Sequence, residues 1–199
     1  MNRIFDIISA TVATIVVFPF CLLVAILIKL DSEGPVLYKQ IRVGKDNKDF
    51  YIYKFRTMYV NSDPIVLTKQ QNDNRITKIG RFLRRVKFDE VPQIINLFKG
   101  DISVVGPRPD IRRHVNYYTE EQMKVLSVKP GVTSPASLAY INEAELLEKS
   151  DNIEEYYINH IMQEKLKINL KYIDEKNFLY DMKIILLTAW NVIKCVFKK

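Results

Sequence analysis

Asp89 and Glu90 stand side by side in Lys87-Phe88-Asp89-Glu90-Val91-Pro92-Gln93-Ile94-Ile95-Asn96-Leu97-Phe98-Lys99-Gly100. Two adjacent carboxylates can supply a nucleophile, an acid–base pair or ligands for a hard cation. The stretch reads as a short apolar helix. Asp suits its N-cap, Pro92 a first helical turn, and Gly100 the position just past the end. Carboxylates at a helix start feel its positive end and stay ionised more easily. A capped helix without chemistry is the plain alternative, and the surroundings decide between the two.

Those surroundings are cationic. Arg108 lies in Gly106-Pro107-Arg108-Pro109, where a proline on each side restricts the backbone. An arginine held that way loses less freedom when its planar fork grips a phosphate. Arg42 falls in one β-leaning run, Val36 to Val43, and Lys54 and Arg56 in a second, Phe50 to Met58. The link from Gly44 to Asp49 is turn-like, so the two runs predict a hairpin. Strand alternation puts Tyr51, Tyr53 and Phe55 on one face and Ile52, Lys54 and Arg56 on the other. Arg42, Lys54 and Arg56 could thus converge on one anionic ligand.

The remaining elements must hold these groups. Residues Ile4 to Ile28 are almost wholly apolar, and as a helix would reach about 37 Å, enough to cross a bilayer core. A signal peptide fits poorly, because the apolar run is too long and no small-residue cleavage pattern follows. Pro19 removes one backbone donor inside the run and strands the carbonyl of Ile15. Association with a membrane is expected; a straight span and a re-entrant turn both remain open. Asn61 to Asn74 reads as a polar loop. Ile76, Ile79, Leu83 and Val86 recur at helical spacing among Lys78, Arg81, Arg84 and Arg85, predicting a basic amphipathic helix. Such a helix suits anionic headgroups or phosphates. Asp101 to Val105 is a short extended run. Beyond it the pattern predicts helices at Arg112 to Tyr118, Glu120 to Leu126, Asn142 to Lys149, Ile153 to Tyr172 and Phe178 to Phe197, with a turn at Lys129-Pro130-Gly131. The last helix clusters its apolar residues on one side and serves as core, as membrane-surface helix, or as both.

The totals narrow the partners. A chain of 199 residues with a formal charge of +7 points to an anionic partner. Two cysteines and two histidines at no ligand spacing argue against a disulfide framework or structural zinc. Six scattered glycines form no phosphate loop, which excludes a P-loop or dinucleotide enzyme. A membrane-anchored nucleic-acid binder is disfavoured, because no such motif is present and the cations cluster around carboxylates.

Taken together, several segments resemble the bacterial sugar transferases, the monotopic polyprenyl-phosphate glycosyl-1-phosphate transferases. They are Gln40-Ile41-Arg42-Val43-Gly44, Tyr53-Lys54-Phe55-Arg56-Thr57-Met58, Asn74 to Arg85, Asp89-Glu90-Val91-Pro92-Gln93, Lys99 to Pro109, Lys129-Pro130-Gly131-Val132-Thr133 and Phe178 to Lys183. The resemblance covers essentially the whole chain and looks like the small form of the family. It implies an α+β, predominantly helical fold. An N-terminal re-entrant membrane helix (residues 1–30) would precede a cytosolic catalytic domain (31–199). That domain would hold a small β-hairpin and membrane-surface amphipathic helices.

The implied activity moves a sugar-1-phosphate from a UDP-sugar donor to undecaprenyl phosphate, releasing UMP. The implied place is the cytoplasmic face of the bacterial inner membrane, where the chain would contact membrane lipid and initiate glycan synthesis. Asp89 would form a covalent phospho-sugar intermediate beside Glu90, with Mg2+ bound at the pair. Which acid attacks and which holds the metal stays open. Arg108, Lys54, Arg56, Arg42 and Arg75 would hold phosphate, with Arg85 and Asp181 in support. Pro19 would mark the break of the membrane helix, and a homodimer is left open. The alternative is a catalytically inactive binding or scaffold protein of the same fold. Two departures stand out. Phe18 replaces the serine that often precedes the helix-breaking proline. Residues Ser134 to Glu143 replace the Gly-Trp-Ala-Gln-Val-Asn-Gly-Arg run of many members, so roles of that segment do not transfer.

Overall fold

A computed structural model describes residues 3–60, 62, 73–148, 150 and 152–197. The loop expected at residues 61–74 lies almost entirely outside the described residues.

Helix α1 (Arg3–Asp31) runs unbroken through Pro19. One stripe of it faces the rest of the chain, with Asp6, Ala10, Val24 and Ile28 buried, while Ile8, Val12, Ile15, Phe18, Leu22 and Leu30 are exposed. Both ends are tied down. Near the N-terminus, Arg3 donates to the carbonyls of Leu97 and Phe98. Asp6 Oδ1 accepts from the Ser103 hydroxyl at 2.8 Å and the Val104 amide at 3.0 Å. At the C-terminus, Asp31 accepts from the Ile79 amide at 2.9 Å.

The expected hairpin forms from β1 (Leu37–Val43) and β2 (Asp49–Phe55), with Leu37 opposite Phe55 and Val43 opposite Asp49. The link passes through Asp46 and Asn47 at positive φ, which short polar side chains tolerate. The basic helix is α2 (Lys78–Arg85), with the Thr77 hydroxyl accepting from the Gly80 amide at 2.9 Å. Gly80 lies where α2 meets the chain leaving β2; a Cβ there would stand 2.2 Å from the Thr57 carbonyl oxygen.

Helix α3 (Ile94–Lys99) ends at Gly100 in the left-handed conformation expected of a helix terminator. Next come β3 (Ser103–Val105), α4 (Arg112–Val115) and β4 (Gly131–Thr133), where β3 and β4 pair in parallel. The turn expected at Lys129 to Gly131 therefore leads directly into a strand, and a second small sheet was not legible from three-residue strands. Four short or broken helices precede the last one. They are α5 (Pro135–Ala139), α6 (Glu143–Glu148), α7 (Ile153–Tyr156) and α8 (Met162–Glu175). The helix expected over Ile153 to Tyr172 is interrupted by a π-helical turn at Tyr157–Ile161. Helix α9 (Phe178–Phe197) closes the chain.

Small apolar clusters join these pieces instead of one large core. Val24 and Ile28 of α1 pack with Phe55 and Leu83, and Ala10 packs with Leu97 and Ile102. Val105 packs with Tyr172 and Ile184, tying β3 to α8 and α9.

Candidate active site

Asp89 and Glu90 lie in a tight 3-10 turn, Phe88–Gln93, that precedes α3. The expectation that Asp89 caps the helix is therefore corrected: α3 begins at Ile94, and Gln93 holds the cap position without a side-chain bond. Pro92 explains the difference, because it lacks an amide donor and disfavours α geometry at Val91. Lys87 enters the turn at φ 58°, a left-handed conformation that costs a non-glycine residue about 1 kcal/mol. Phe88 anchors the turn by stacking on Phe55 of β2, with ring centroids 6.2 Å apart.

Asn96 fixes α3 to the same strand. It is fully buried, accepts from the Tyr53 amide at 3.1 Å, and donates to the Tyr51 carbonyl at 2.7 Å. A further bond runs to Asp101 at 3.0 Å. A lone polar residue within Ile94-Ile95-Asn96-Leu97-Phe98 was the only sequence signal of this role.

The two acids differ in their surroundings. Glu90 Oε1 accepts from Lys54 Nζ at 3.0 Å and forms a close ion pair with Arg108. Burial pushes the Glu90 carboxyl up, but Arg108 and Lys54 outweigh it and hold it well below the usual carboxylate range. Among the described residues, none gives the Asp89 side chain a hydrogen bond or an ion pair. Burial raises the Asp89 carboxyl above its ordinary value and the neighbouring Glu90 adds to the rise, while Lys54, Arg84 and Lys87 oppose it. Lys54 is pulled below its ordinary value by burial, against the field of Glu90.

A cavity of about 1050 Å³ contains both acids. Arg42, Lys54, Arg84 and Arg108 line it, as do Ser9, Ala13 and Val17 of α1 and Thr188, Asn191 and Val192 of α9. Its wall thus joins a polar centre to the two most apolar helices of the molecule.

Other residues singled out in the sequence fall elsewhere. Arg56 lines the cavity, yet its guanidinium donates to the carbonyls of Glu33 and Ser32, both at 2.7 Å, and of Ile28 at 3.3 Å. It closes off the end of α1. The Arg56 amide still donates to the Val36 carbonyl at 2.8 Å, so strand pairing runs on through it, and it is the carbonyls at the end of α1 that take up its guanidinium. Arg75 makes a two-pronged pair with Asp73, at 2.9 and 2.8 Å, outside the cavity wall. Arg85 is exposed. Asp181 is buried between α8 and α9, where it accepts from the Tyr172 hydroxyl at 2.6 Å. Pro19 is on the exposed side of α1. Arg84 was read only as part of the basic helix; its Nε donates to the Thr57 hydroxyl at 2.9 Å and the side chain faces Asp89.

The donor set suits a magnesium ion carried in with phosphate. Mg2+ is commonly held by one or two carboxylates together with substrate phosphate oxygens, and Asp89, unpartnered among the described residues, stands beside a second carboxylate. Among the described residues, no group of three or more His, Cys, Asp or Glu comes together as a ready-made cage.

The family model described as "Bacterial sugar transferase" matches residues 1–195. The chain belongs to this family. An Escherichia coli relative, a UDP-glucose:undecaprenyl-phosphate glucose-1-phosphate transferase, is 37% identical over 196 residues, covering 96% of this chain and 40% of that protein. A protein of the same name from Caulobacter vibrioides is 34% identical, over 94% of this chain and 68% of its own length. An Aeromonas hydrophila UDP-N-acetylgalactosamine-undecaprenyl-phosphate N-acetylgalactosaminephosphotransferase is 39% identical over 80% of this chain and 39% of that protein. The chain spans about two fifths of the Escherichia coli and Aeromonas proteins. The relatives' names agree on undecaprenyl phosphate and differ in the sugar.

Proposed function

We propose that this chain transfers a sugar-1-phosphate from a UDP-sugar to undecaprenyl phosphate at the cytoplasmic face of the bacterial inner membrane. The observation that carries the reading is the unequal pair: an Asp89 without a partner among the described residues, beside a Glu90 held by Lys54 and Arg108, inside a cavity of a sugar transferase.

In the first step a carboxylate oxygen of Asp89 attacks the β-phosphorus of the donor. An acyl phosphate forms, the bond from that phosphorus to the bridging oxygen breaks, and UMP leaves with the electron pair. In the second step a phosphate oxygen of the lipid attacks the same phosphorus. The Asp89 carboxylate is restored, and the product is a lipid-linked diphosphate sugar. Arg108, Lys54, Arg42 and Arg84 line the cavity and would offset the charge that builds on the phosphoryl oxygens. Lys54 and Arg108 also fix Glu90, so its negative charge is partly neutralised before the donor arrives. Asp89 and Glu90 would hold Mg2+, which when bound supplies charge neutralisation to the donor diphosphate.

Membrane placement follows the same reading. The exposed apolar side of α1 suits lipid, and the cavity wall includes residues of α1 and α9, so a lipid phosphate could reach Asp89 without leaving the bilayer surface. The ties of both α1 ends to the body of the chain, in a helix unbroken at Pro19, support an in-plane helix over a straight span.

The test is UMP release by the purified full chain in detergent with Mg2+, undecaprenyl phosphate and a panel of UDP-sugars. Turnover is expected with at least one donor, and Asp89→Asn is expected to abolish both turnover and any trapped phospho-sugar adduct. An Asp89→Asn variant with near-normal rates would remove Asp89 as the nucleophile. Failure of the wild-type chain with every donor would favour an inactive binding protein.

A further inference from the structure

Asp110 follows the proline-flanked Arg108 by two residues, and its carboxylate draws together the start of α4, the π turn and β1. Oδ1 accepts from the Ile111 amide at 2.8 Å and stands 2.8 Å from His114 Nδ1 on α4. Oδ2 accepts from the Tyr157 hydroxyl at 3.2 Å. Burial pushes the Asp110 carboxyl up, but the His114 contact, Arg42 and the Ile111 amide outweigh it, so the group lies below its ordinary value and is ionised. An ionised carboxylate only accepts, so His114 Nδ1 carries the proton of that contact.

The π-helical turn at Tyr157–Ile161 explains how Tyr157 arrives there. A π turn re-aims a side chain within a helix, and here it carries an aromatic hydroxyl into a buried pair. The Tyr157 ring also rests against His114, with centroids 4.8 Å apart.

On its open side Asp110 faces Arg42, whose Nη1 stands 3.8 Å from Oδ1. The same guanidinium is gripped by Gln40, one strand step away on the same face of β1. Arg42 Nε and Nη2 both donate to Gln40 Oε1, at 3.2 and 2.8 Å, and Nη1 donates to the Pro109 carbonyl at 3.3 Å. Arg42 thereby lines the cavity beside two other cations, Arg108 and Lys54, and the like charges repel one another. A counter-charge behind it resolves that conflict.

We propose that Asp110, clamped by His114 and Tyr157, is a positioning residue that holds Arg42 on the cavity wall to receive the diphosphate of the donor. The inference rests on reading the cavity as a UDP-sugar site. It predicts that Asp110 acts through Arg42 and on the donor, not on the lipid acceptor.

A double-mutant cycle tests it, using the full chain in lipid nanodiscs and the UDP-sugar that the wild type uses best. Asp110→Asn and Arg42→Gln are each expected to lower kcat/KM for the donor about tenfold, since misplacing one phosphate-holding group is felt strongly. The loss should fall mainly in the donor KM, with the KM for undecaprenyl phosphate unchanged. Asp110→Asn in the Arg42→Gln background should add less than about twofold. Tyr157→Phe keeps the Asp110 charge and should show a smaller loss that also vanishes in the Arg42→Gln background; it decides the matter should Asp110→Asn fail to fold. Losses that multiply, a shift in the acceptor KM, or wild-type behaviour of both variants would overturn the positioning role. A wild-type chain that releases no UMP from any donor would instead overturn the functional reading, and this inference with it.

Discussion

Glu90 sits between the Lys54 ammonium and the Arg108 guanidinium, whereas Asp89, its chain neighbour, has no such partner among the described residues. Burial acts on both, so the cations decide the difference. A consequence is testable by pH. The raised Asp89 carboxyl must be ionised to attack, so the acid limb of kcat/KM for the donor should lie above the ordinary Asp value of about 3.9. Glu90→Gln removes the like charge and frees Lys54 and Arg108 to act on Asp89, so that limb should move down by about one pH unit. The measurement is residual UMP release against pH, or a carbon NMR titration of Asp89. An unmoved limb would mean that Glu90 does not set the charge of its neighbour. The effect on stability has the opposite sense. Because Glu90 is depressed in the folded chain, its pairing stabilises fully above the usual carboxylate range and is lost as pH falls through and below it.

Among the elements, β2 and the turn at Phe88–Gln93 act as one unit, joined by the Phe55–Phe88 stack and by the Lys54–Glu90 pair. Helix α1 is attached to the same unit at its C-terminus through Arg56. That guanidinium is buried against carbonyls that have no other use for it than as a donor. Arg56→Met should destabilise the chain by about 2–4 kcal/mol, because it leaves buried acceptors unpaired. It should leave turnover per folded molecule within about threefold of the wild type. Thermal unfolding in detergent, paired with UMP release normalised to folded protein, checks both. A large loss of turnover with no loss of stability would return Arg56 to phosphate binding, the role implied by its place in the hairpin. Alternation assigned Arg56 the face of Lys54, and both line the cavity, but the carbonyls at the end of α1 engage the Arg56 guanidinium.

For the molecule as a whole, the question is where the exposed apolar surface of α1 goes. The helix is about 43 Å long. Arg3 and Asp6 at one end grip α3 and β3, and Asp31 at the other meets α2. Both ends therefore belong to one side of the molecule. In a Cys21→Ser, Cys195→Ser background, cysteines placed at Asn2 and at Lys45 should react with an impermeant reagent only when the cytoplasmic face is open. Labelling of position 2 from the outer face alone would make α1 a true span.

Much of this was legible in the sequence. The hairpin, the basic helix, the apolar N-terminal segment and the terminator Gly100 all follow from local rules of alternation, helical spacing and turn chemistry. The β3–β4 pair was not legible, since three-residue strands carry no pattern and pair only through contacts between distant segments. The π turn at Tyr157 was hidden for a related reason: its sequence is helical, and the group its hydroxyl meets, Asp110, lies 47 residues away.

Asp89-Glu90 is where the two sources of information divide most clearly. Residue type and spacing by themselves determined that two acids would stand together, that a proline-flanked Arg108 would follow, and that cations would lie on the strands before them. They also carry the family. Only the tertiary structure decided which cation meets which acid. Lys54 and Arg108 reach Glu90, Arg84 faces Asp89, and Arg56 and Arg75 take other partners. The physical reason is range. Local rules set the face on which a side chain leaves the backbone, but a charge is neutralised by whatever packs opposite, and here the opposing groups come from segments remote in the chain.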